Sequence, residues 1–78
     1  MQVQIRLFSR LREHLPREAR GEATIDVLEA ATIADLLAHV GIVEQVKLIS
    51  VNGERETDLS HTLQNGDLVR IFPIVVGG

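Results

Sequence analysis

The sequence predicts an α+β fold in which a β-sheet packs against one main helix. Short segments of alternating apolar and polar residues indicate strands, and one segment with apolar residues at helical spacing indicates the helix. Turns rich in Gly, Asn and Pro separate these segments. A chain of 78 residues can build one hydrophobic core, so a single domain is expected. Strands on one sheet with a helix across one face form an α+β domain.

The first two predicted elements are a strand over residues 1–8 and a short helix behind it. Polar and apolar residues alternate in the strand, and its apolar face is made of Val3, Ile5 and Leu7. The helix would begin with Ser9 as its N-cap and end at Leu15, ahead of Pro16. Leu11 lies four positions before Leu15, so the two leucines would share one face of the helix.

A second strand over residues 22–28 and the main helix follow. The inner face of this strand is expected to carry Ala23, Ile25 and Val27. Thr32 is the predicted N-cap of the helix, and Asp35 stands where a carboxylate can bind the free backbone amides. The buried stripe of the helix has the spacing i, i+3, i+4, i+7 and consists of Ile33, Leu36, Leu37 and Val40. Gly41 is the expected C-terminal stop.

A β-hairpin is predicted next. Residues 47–51 have strand character, Asn52-Gly53 is a strong hairpin signal, and residues 54–56 would pair back as a short strand. The segment that follows has no periodicity and is interpreted as irregular. Its leucines, Leu59 and Leu63, are expected to fill the core.

The last strand is predicted over residues 68–72, after a turn at Asn65-Gly66-Asp67. Its inner face would carry Val69 and Ile71. Leu68 and Phe72 have the opposite parity, so they are candidates for an apolar, partner-binding patch on the exposed face of the sheet. Pro73 has no N–H to donate and marks the end of regular pairing.

Composition argues against several kinds of site. The chain has no Cys, so it can form neither a disulfide nor a thiolate metal site, and its own side chains cannot carry a persulfide or a thioester. Its three His lack the short spacing of metal ligands, and we predict no metal site. Five early arginines could be either a solvated surface or a basic patch; they are Arg6, Arg10, Arg12, Arg17 and Arg20.

Charge and hydropathy bear on partners and location. The net charge of −3 gives a nucleic-acid partner no overall electrostatic support. No apolar run approaches the ~20 residues of a membrane span, and the alternating N-terminus differs from a signal peptide. We therefore expect no nucleic-acid or membrane partner and a cytoplasmic location.

The sequence after Pro73 reads Ile74-Val75-Val76-Gly77-Gly78. Five residues can reach about 17 Å when extended, far enough to enter another protein's active site. Without a Cβ, the two glycines could pass a narrow channel, and a carboxylate on a bare backbone is open to reaction with ATP. Residues 1–73 are thus interpreted as the folded domain and residues 74–78 as a flexible tail.

Five segments in this order resemble the MoaD/ThiS family of β-grasp sulfur carriers; they are residues 7–13, 31–37, 51–54, 65–67 and 72–78. The resemblance implies a ubiquitin-like β-grasp fold, with a mixed sheet on one main helix and a short extra helix after the first strand. That extra helix and the ending Phe72-Pro73-x-Val75-x-Gly77-Gly78 are most similar to the small subunit of molybdopterin synthase.

The resemblance also implies a chemistry. A ubiquitin-activating-type enzyme would use ATP to adenylate Gly78, and a sulfurtransferase would convert the acyl-adenylate to a thiocarboxylate. The large subunit of molybdopterin synthase would then accept the tail and pass the sulfur to a pterin precursor. Gly77 would supply clearance, and Ile74, Val75 and Val76 would make the threading contacts. ATP would be bound by the partner, and this chain, with no cofactor of its own, would not be catalytic alone.

Other functions remain open at this point. Ile74 and Val76 stand where the molybdopterin synthase subunit often has a second Pro and a small residue. A related carrier for the tungsten cofactor, thiamine or tRNA thiolation, or a ubiquitin-like protein modifier, would use the same activation chemistry. Lys47 is the only lysine, which limits chains of the protein on itself. A passive β-grasp interaction module is the remaining alternative.

Overall fold

The structure, a computed structural model, describes residues 1–75. Its strands are β1 (Gln2–Leu7), β2 (Glu22–Asp26), β3 (Val46–Val51), β4 (Glu54–Arg55) and β5 (Leu68–Pro73). One α-helix, α1 (Ile33–Val40), follows β2. Two short 3-10 helices, Ser9–His14 and Arg17–Ala19, connect β1 to β2. No helix within the described range is long and apolar enough to cross a bilayer.

The five strands form one mixed sheet in the order β2-β1-β5-β3-β4. The last strand therefore lies in the middle, parallel to β1 and antiparallel to β3. Its register places Val69 beside Ile5 and Ile71 beside both Leu7 and Ile49. All these side chains are buried, so the centre of the sheet presents a continuous apolar surface on one face.

The core lies between that face and α1. The inner residues predicted for β1, the stripe of α1 and β5 are confirmed; the most buried are Val3, Ile5, Leu7, Ile33, Leu36, Val69 and Ile71. Burying one such side chain stabilises the fold by about 1.5–3 kcal/mol, and no disulfide assists. Leu11 and Leu63 extend the core from the first 3-10 helix and from the irregular segment before β5.

The predicted ends of α1 are confirmed. The Thr32 Oγ1 atom accepts the Asp35 amide at 3.2 Å, and Asp35 Oδ2 accepts the Thr32 amide at 2.9 Å, which completes a capping box. Gly41 takes the left-handed conformation at the C-terminus, and its amide donates to the carbonyls of Leu37 and Ala38.

A hydrogen-bond network joins the two predicted turns. The Asn52 side-chain amide donates to Asp67 Oδ1 at 2.8 Å, and Asn52 Oδ1 accepts the Leu68 amide at 2.9 Å. Asp67 Oδ2 accepts the Gln64 amide at 2.8 Å, so this buried carboxylate uses both oxygens. The β3–β4 hairpin turn is thereby attached to the start of β5.

Two predictions about side chains are wrong. Ser9 is not an N-cap, because the extended residue before the 3-10 helix is Phe8 and Ser9 is the first helical residue. Leu59 is not a core residue, because its side chain is 45% exposed. Its backbone carbonyl accepts the Ala34 amide in the first turn of α1 at 3.0 Å, which holds Leu59 at the rim of the core.

Several boundaries also differ from the prediction. The strand β2 ends at Asp26, although Met1 and Val27 still exchange two backbone hydrogen bonds of 2.9 Å. The chain then turns toward α1 and leaves Leu28 85% exposed. Conversely, Pro73 belongs to β5 and lies opposite Val46, as its last residue. A proline fits there because the missing N–H falls at the end of the ladder.

Candidate functional site

The position of β5 decides where the C-terminal segment leaves the domain. The strand is central, and its last residue, Pro73, is buried opposite Val46. Because β1 runs parallel to β5, the end of β1 lies beside the end of β5. Ile74 and Val75 therefore emerge from the middle of one edge of the sheet, between the residues that follow β1 and those that precede β3.

Leu68 and Phe72 both lie on the sheet face opposite α1, as their parity predicts. Each is half-buried. Phe72 pairs in register with Leu48, and Leu68 pairs with Gln4 at the opposite end of β5. Since Arg70 lies between them on the same face, the structure separates Leu68 from Phe72 rather than joining them in one patch.

An aromatic pair covers the outer face of the sheet at the end where the C-terminal tail leaves the domain. The rings of Phe8 and Phe72 are stacked, with centroids 4.1 Å apart and an interplanar angle of 13°. The Arg6 guanidinium lies 5.4 Å from the centroid of Phe8 and forms an ion pair with Glu22 at 3.4 Å. We define the outer patch as Phe8, Leu48 and Phe72. It is a half-buried apolar surface beside the exit of the tail.

Arg10 holds the root of the tail. Its Nη1 atom donates to the Ile74 carbonyl at 2.8 Å, and its Nη2 atom donates to Glu44 Oε2 at 2.7 Å. Ile74 is half-buried, whereas Val75 is 77% exposed. The remaining predicted site residues, Val76, Gly77 and Gly78, lie outside the described residues.

The early arginines do not form one uniform patch. Arg6 lies on the outer face, where a carboxylate already binds it. Four others line a single shallow depression next to the tail root; they are Arg10, Arg12, Arg17 and Arg20. Glu13 lies in the same depression and offsets part of their charge.

His61 pairs with a carboxylate in the segment that follows β4. His61 Nδ1 is 3.1 Å from Glu56 Oε1 in the segment after β4. Among residues 1–75, no group of three His, Cys, Asp or Glu side chains could hold a metal ion. Near His61, hydrogen bonds from the Ser60 hydroxyl and amide hold the pKa of Asp58 below its usual range.

Three contributors to this site, Phe8, Arg10 and Glu44, are not among the predicted site residues, and Arg10 enters the prediction only as one of five early arginines. The outward orientation of Phe8 could have been predicted, because Phe8 lies two positions after Arg6 and four after Gln4 and therefore has the same strand parity. Arg10 and Glu44 had no such signal, since they are 34 residues apart and belong to connections without periodicity. Only the pairing of β5 between β1 and β3 brings them together.

Comparison with known proteins identifies the family. Residues 1–76 match the sequence profile of the Mut7-C ubiquitin family. The chain belongs to this family. Its β-grasp order, with a central last strand, fits the ubiquitin-like description. No curated protein matches the sequence.

Solved structures similar to this Mut7-C ubiquitin domain confirm the predicted β-grasp fold. One is a Pyrococcus furiosus protein assigned as molybdopterin converting factor subunit 1, with TM-score 0.74 and 26% identity over 96% of this chain and 99% of that one. SAMP1, small archaeal modifier protein 1 of Haloferax volcanii, has TM-score 0.74 and 27% identity over 100% of both chains. A complex of subunits 1 and 2 of the Helicobacter pylori molybdopterin-converting factor contains a chain with TM-score 0.66 and 23% identity, again over 100% of both.

Proposed function

We propose that this chain is a sulfur carrier whose Gly78 carboxylate becomes a thiocarboxylate. The observation that carries the proposal is the Gly77-Gly78 sequence, which follows the central strand of a β-grasp domain after three intervening residues. The likeness to the P. furiosus molybdopterin converting factor subunit covers nearly all of both chains and supports the same role.

The proposed chemistry uses a partner's ATP. A Gly78 carboxylate oxygen attacks the α-phosphorus, and pyrophosphate leaves. A persulfide on a sulfurtransferase then attacks the acyl carbon, AMP leaves, and a thiol reductant cleaves the resulting acyl disulfide to give the thiocarboxylate. The thiocarboxylate sulfur then displaces a leaving group from a carbon of the acceptor, and water cleaves the acyl–sulfur bond, which leaves the sulfur on the acceptor and restores the carboxylate. The chain supplies an open carboxylate and no side-chain nucleophile.

The proposed acceptor is a pterin precursor bound by a large synthase subunit. The H. pylori relative of this fold is found in a complex with a second subunit, which supports a partner of that kind. We propose that the outer patch docks on this partner, because it is apolar and lies beside the exit of the tail. Within the tail, Ile74, Val75 and Val76 would contact the channel walls, and Gly77 would provide clearance.

The activation step is tested by ATP–pyrophosphate exchange with the cognate activating enzyme. Deletion of Gly78 moves the carboxylate back by one residue, about 3.3–3.6 Å, and extension by one alanine moves it forward. We expect both variants to lose exchange while keeping the wild-type unfolding midpoint, since neither touches the core. Exchange at the wild-type rate in either variant would contradict the proposal.

A protein modifier is the second candidate, and the likeness to small archaeal modifier protein 1 over the whole chain favours it. In this role an amine of a target lysine would replace sulfur as the nucleophile. Trypsin cleaves after Arg70 and finds no later Lys or Arg, so a modified lysine would carry residues 71–78 as a branch. Peptides with this branch in cell digests would establish conjugation, and their absence alongside a thiocarboxylate would exclude it as the main role.

A further inference from the structure

Arg10 and Glu44 form a bridge across the point where the tail leaves the sheet. Arg10 follows β1 and Glu44 precedes β3, and these are the two strands on either side of β5. Their ion pair therefore passes over the end of β5. The Ile74 carbonyl, immediately after β5, accepts a third contact from the same guanidinium.

The guanidinium uses three of its N–H groups in this bridge. Nε and Nη2 both donate to Glu44 Oε2, at 3.2 and 2.7 Å, while Nη1 donates to Ile74 at 2.8 Å. The planar fork lets one side chain bind both partners at once, with fixed angles between them. A lysine carries a single ammonium group on a flexible side chain, so it could not bind Glu44 and the Ile74 carbonyl in the same fixed geometry.

The bridge lies at the surface, where both of its side chains are partly exposed. The side chains of Arg10 and Glu44 are 47% and 36% exposed, and surface ion pairs are weakened by solvent and salt. The contact with Ile74 is made to a backbone carbonyl, so it restrains the direction of the chain whatever side chain follows. A partner that needs Ile74 in another position can displace it.

We propose that Arg10 is a positioning residue that directs the backbone at Ile74 and Val75 outward from the centre of the sheet, and that Glu44 acts by holding Arg10 in place. The inference rests on the proposed function, because direction at Ile74 matters when an enzyme must capture a carboxylate four residues further on. Restraining the root lowers the conformational freedom that the tail loses on entering that enzyme.

The test compares Arg10→Ala, Arg10→Lys, Glu44→Gln and the control Arg17→Ala. Arg17 is an exposed arginine in the same depression, so its loss changes the charge of that surface equally without removing the bond to Ile74. Two readouts are used. The ¹⁵N order parameters of the Ile74 and Val75 amides are measured in the free chain, and KM and kcat for the chain are measured with the activating enzyme.

We expect Arg10→Ala to lower both order parameters and to raise KM about fivefold, with kcat unchanged. A fivefold increase corresponds to the entropy cost of ordering the backbone of roughly one residue. Arg10→Lys should restore less than half of the loss. Glu44→Gln should have a smaller effect, and in the double variant it should add nothing to Arg10→Ala. High salt should reduce the order of Val75 in the wild type and leave it unchanged in Arg10→Ala.

Two results would overturn the inference. If Arg17→Ala raises KM as much as Arg10→Ala, the arginines act only through charge. If Arg10→Ala leaves the order of Val75 unchanged, the bridge does not restrain the tail. Absence of adenylation in the wild type would instead refute the proposed function, and the order parameters would still decide whether Arg10 restrains the root.

Discussion

At Gly21 the backbone has φ +81°, and the space beside the Cα atom is already occupied. A Cβ built there would lie 2.6 Å from the Leu7 carbonyl oxygen and 2.6 Å from Arg12 Cγ. The Gly21 carbonyl accepts the Leu7 amide at 2.7 Å, so a shift of Gly21 would strain the hydrogen bond next to the β1–β2 ladder. Gly53 has a similar φ of +87° with nothing within 4 Å. A substitution at Gly53 therefore tests the strain of a positive φ alone, whereas a substitution at Gly21 adds a steric clash to that strain.

Gly53→Ala should destabilise the fold by about 1–2 kcal/mol, which is the cost of the left-handed conformation for an L-residue. Gly21→Ala should cost about 1–3 kcal/mol more, because the Leu7 carbonyl is backbone and must also move. Urea unfolding of both variants measures the difference. Equal losses would show that the close approach at Gly21 relaxes freely.

Asp58 accepts two hydrogen bonds from Ser60, and one substitution can remove the bond from the hydroxyl. Its Oδ1 atom accepts the Ser60 hydroxyl at 2.6 Å and the Ser60 amide at 2.9 Å, and these bonds hold its pKa below the usual range. Because the folded pKa is the lower one, the contribution to stability is present above the unfolded pKa and disappears as the pH falls through the folded pKa.

Ser60→Ala should therefore raise the pKa of Asp58 toward its ordinary value, with the amide bond retaining part of the shift. Carboxyl ¹³C titration by NMR measures this directly. Ser9→Ala, which removes a hydroxyl from the first 3-10 helix, is the control and should leave the Asp58 titration unchanged. An unaltered Asp58 pKa in Ser60→Ala would mean that the hydroxyl contact is not formed in solution.

At the scale of elements, the first 3-10 helix shows where local signals succeed and fail. The sequence correctly predicted a short helix after β1. The predicted type, an α-helix with Ser9 as its N-cap, was wrong, because the segment is a 3-10 helix that begins at Ser9. The segment is only six residues long, and its packing is determined by Leu11, which is fully buried under the sheet. Short helices gain little from backbone bonding, so tertiary contacts choose their geometry. The α1 helix has both caps and a full stripe, and its sequence predicted it closely.

Leu11→Ala should destabilise the fold by about 2–5 kcal/mol, because it leaves a cavity in a small core. Leu28→Ala removes the same atoms from a side chain that is 85% exposed and should change stability by less than about 0.5 kcal/mol. Thermal and denaturant unfolding of the pair provide the comparison. A small effect of Leu11→Ala would show that the 3-10 helix is only loosely attached to the domain.

At the scale of the whole molecule, the sequence predicted what depends on periodicity and turn chemistry. Alternation identified the inner faces, and the capping box and Asn52-Gly53 fixed two boundaries. The stack of Phe8 on Phe72 depends on the register of a parallel pair formed by the two ends of the chain, and no local pattern encodes that register. The contact between Arg10 and Glu44 depends on the same topology. The prediction that Leu59 is a core residue was wrong because apolar character alone does not distinguish a residue at the rim of the core from one inside it.

The topology also connects the fold to the proposed role. A central last strand anchors the segment before the tail on both sides, so force or binding at the tail is resisted by two ladders. The outer patch and the Arg10 bridge lie at the same end of the sheet. A partner that recognises this end would contact the domain and receive the tail together.

Intact-protein mass spectrometry after treatment with the cognate activating enzyme, ATP and sulfur donor measures whether Gly78 carries sulfur. Oxidation of Met1 adds nearly the same mass as sulfur replacing oxygen, so the product is also treated with iodoacetamide. Because the chain has no Cys, a thiocarboxylate is the expected site of rapid alkylation. Deletion of Gly78 provides the control, since that chain keeps Met1.

We expect one sulfur-for-oxygen exchange and one alkylation in the wild type, and neither in the deletion variant. A wild-type chain that stays unmodified, while the same enzymes charge a control carrier, would contradict the proposal.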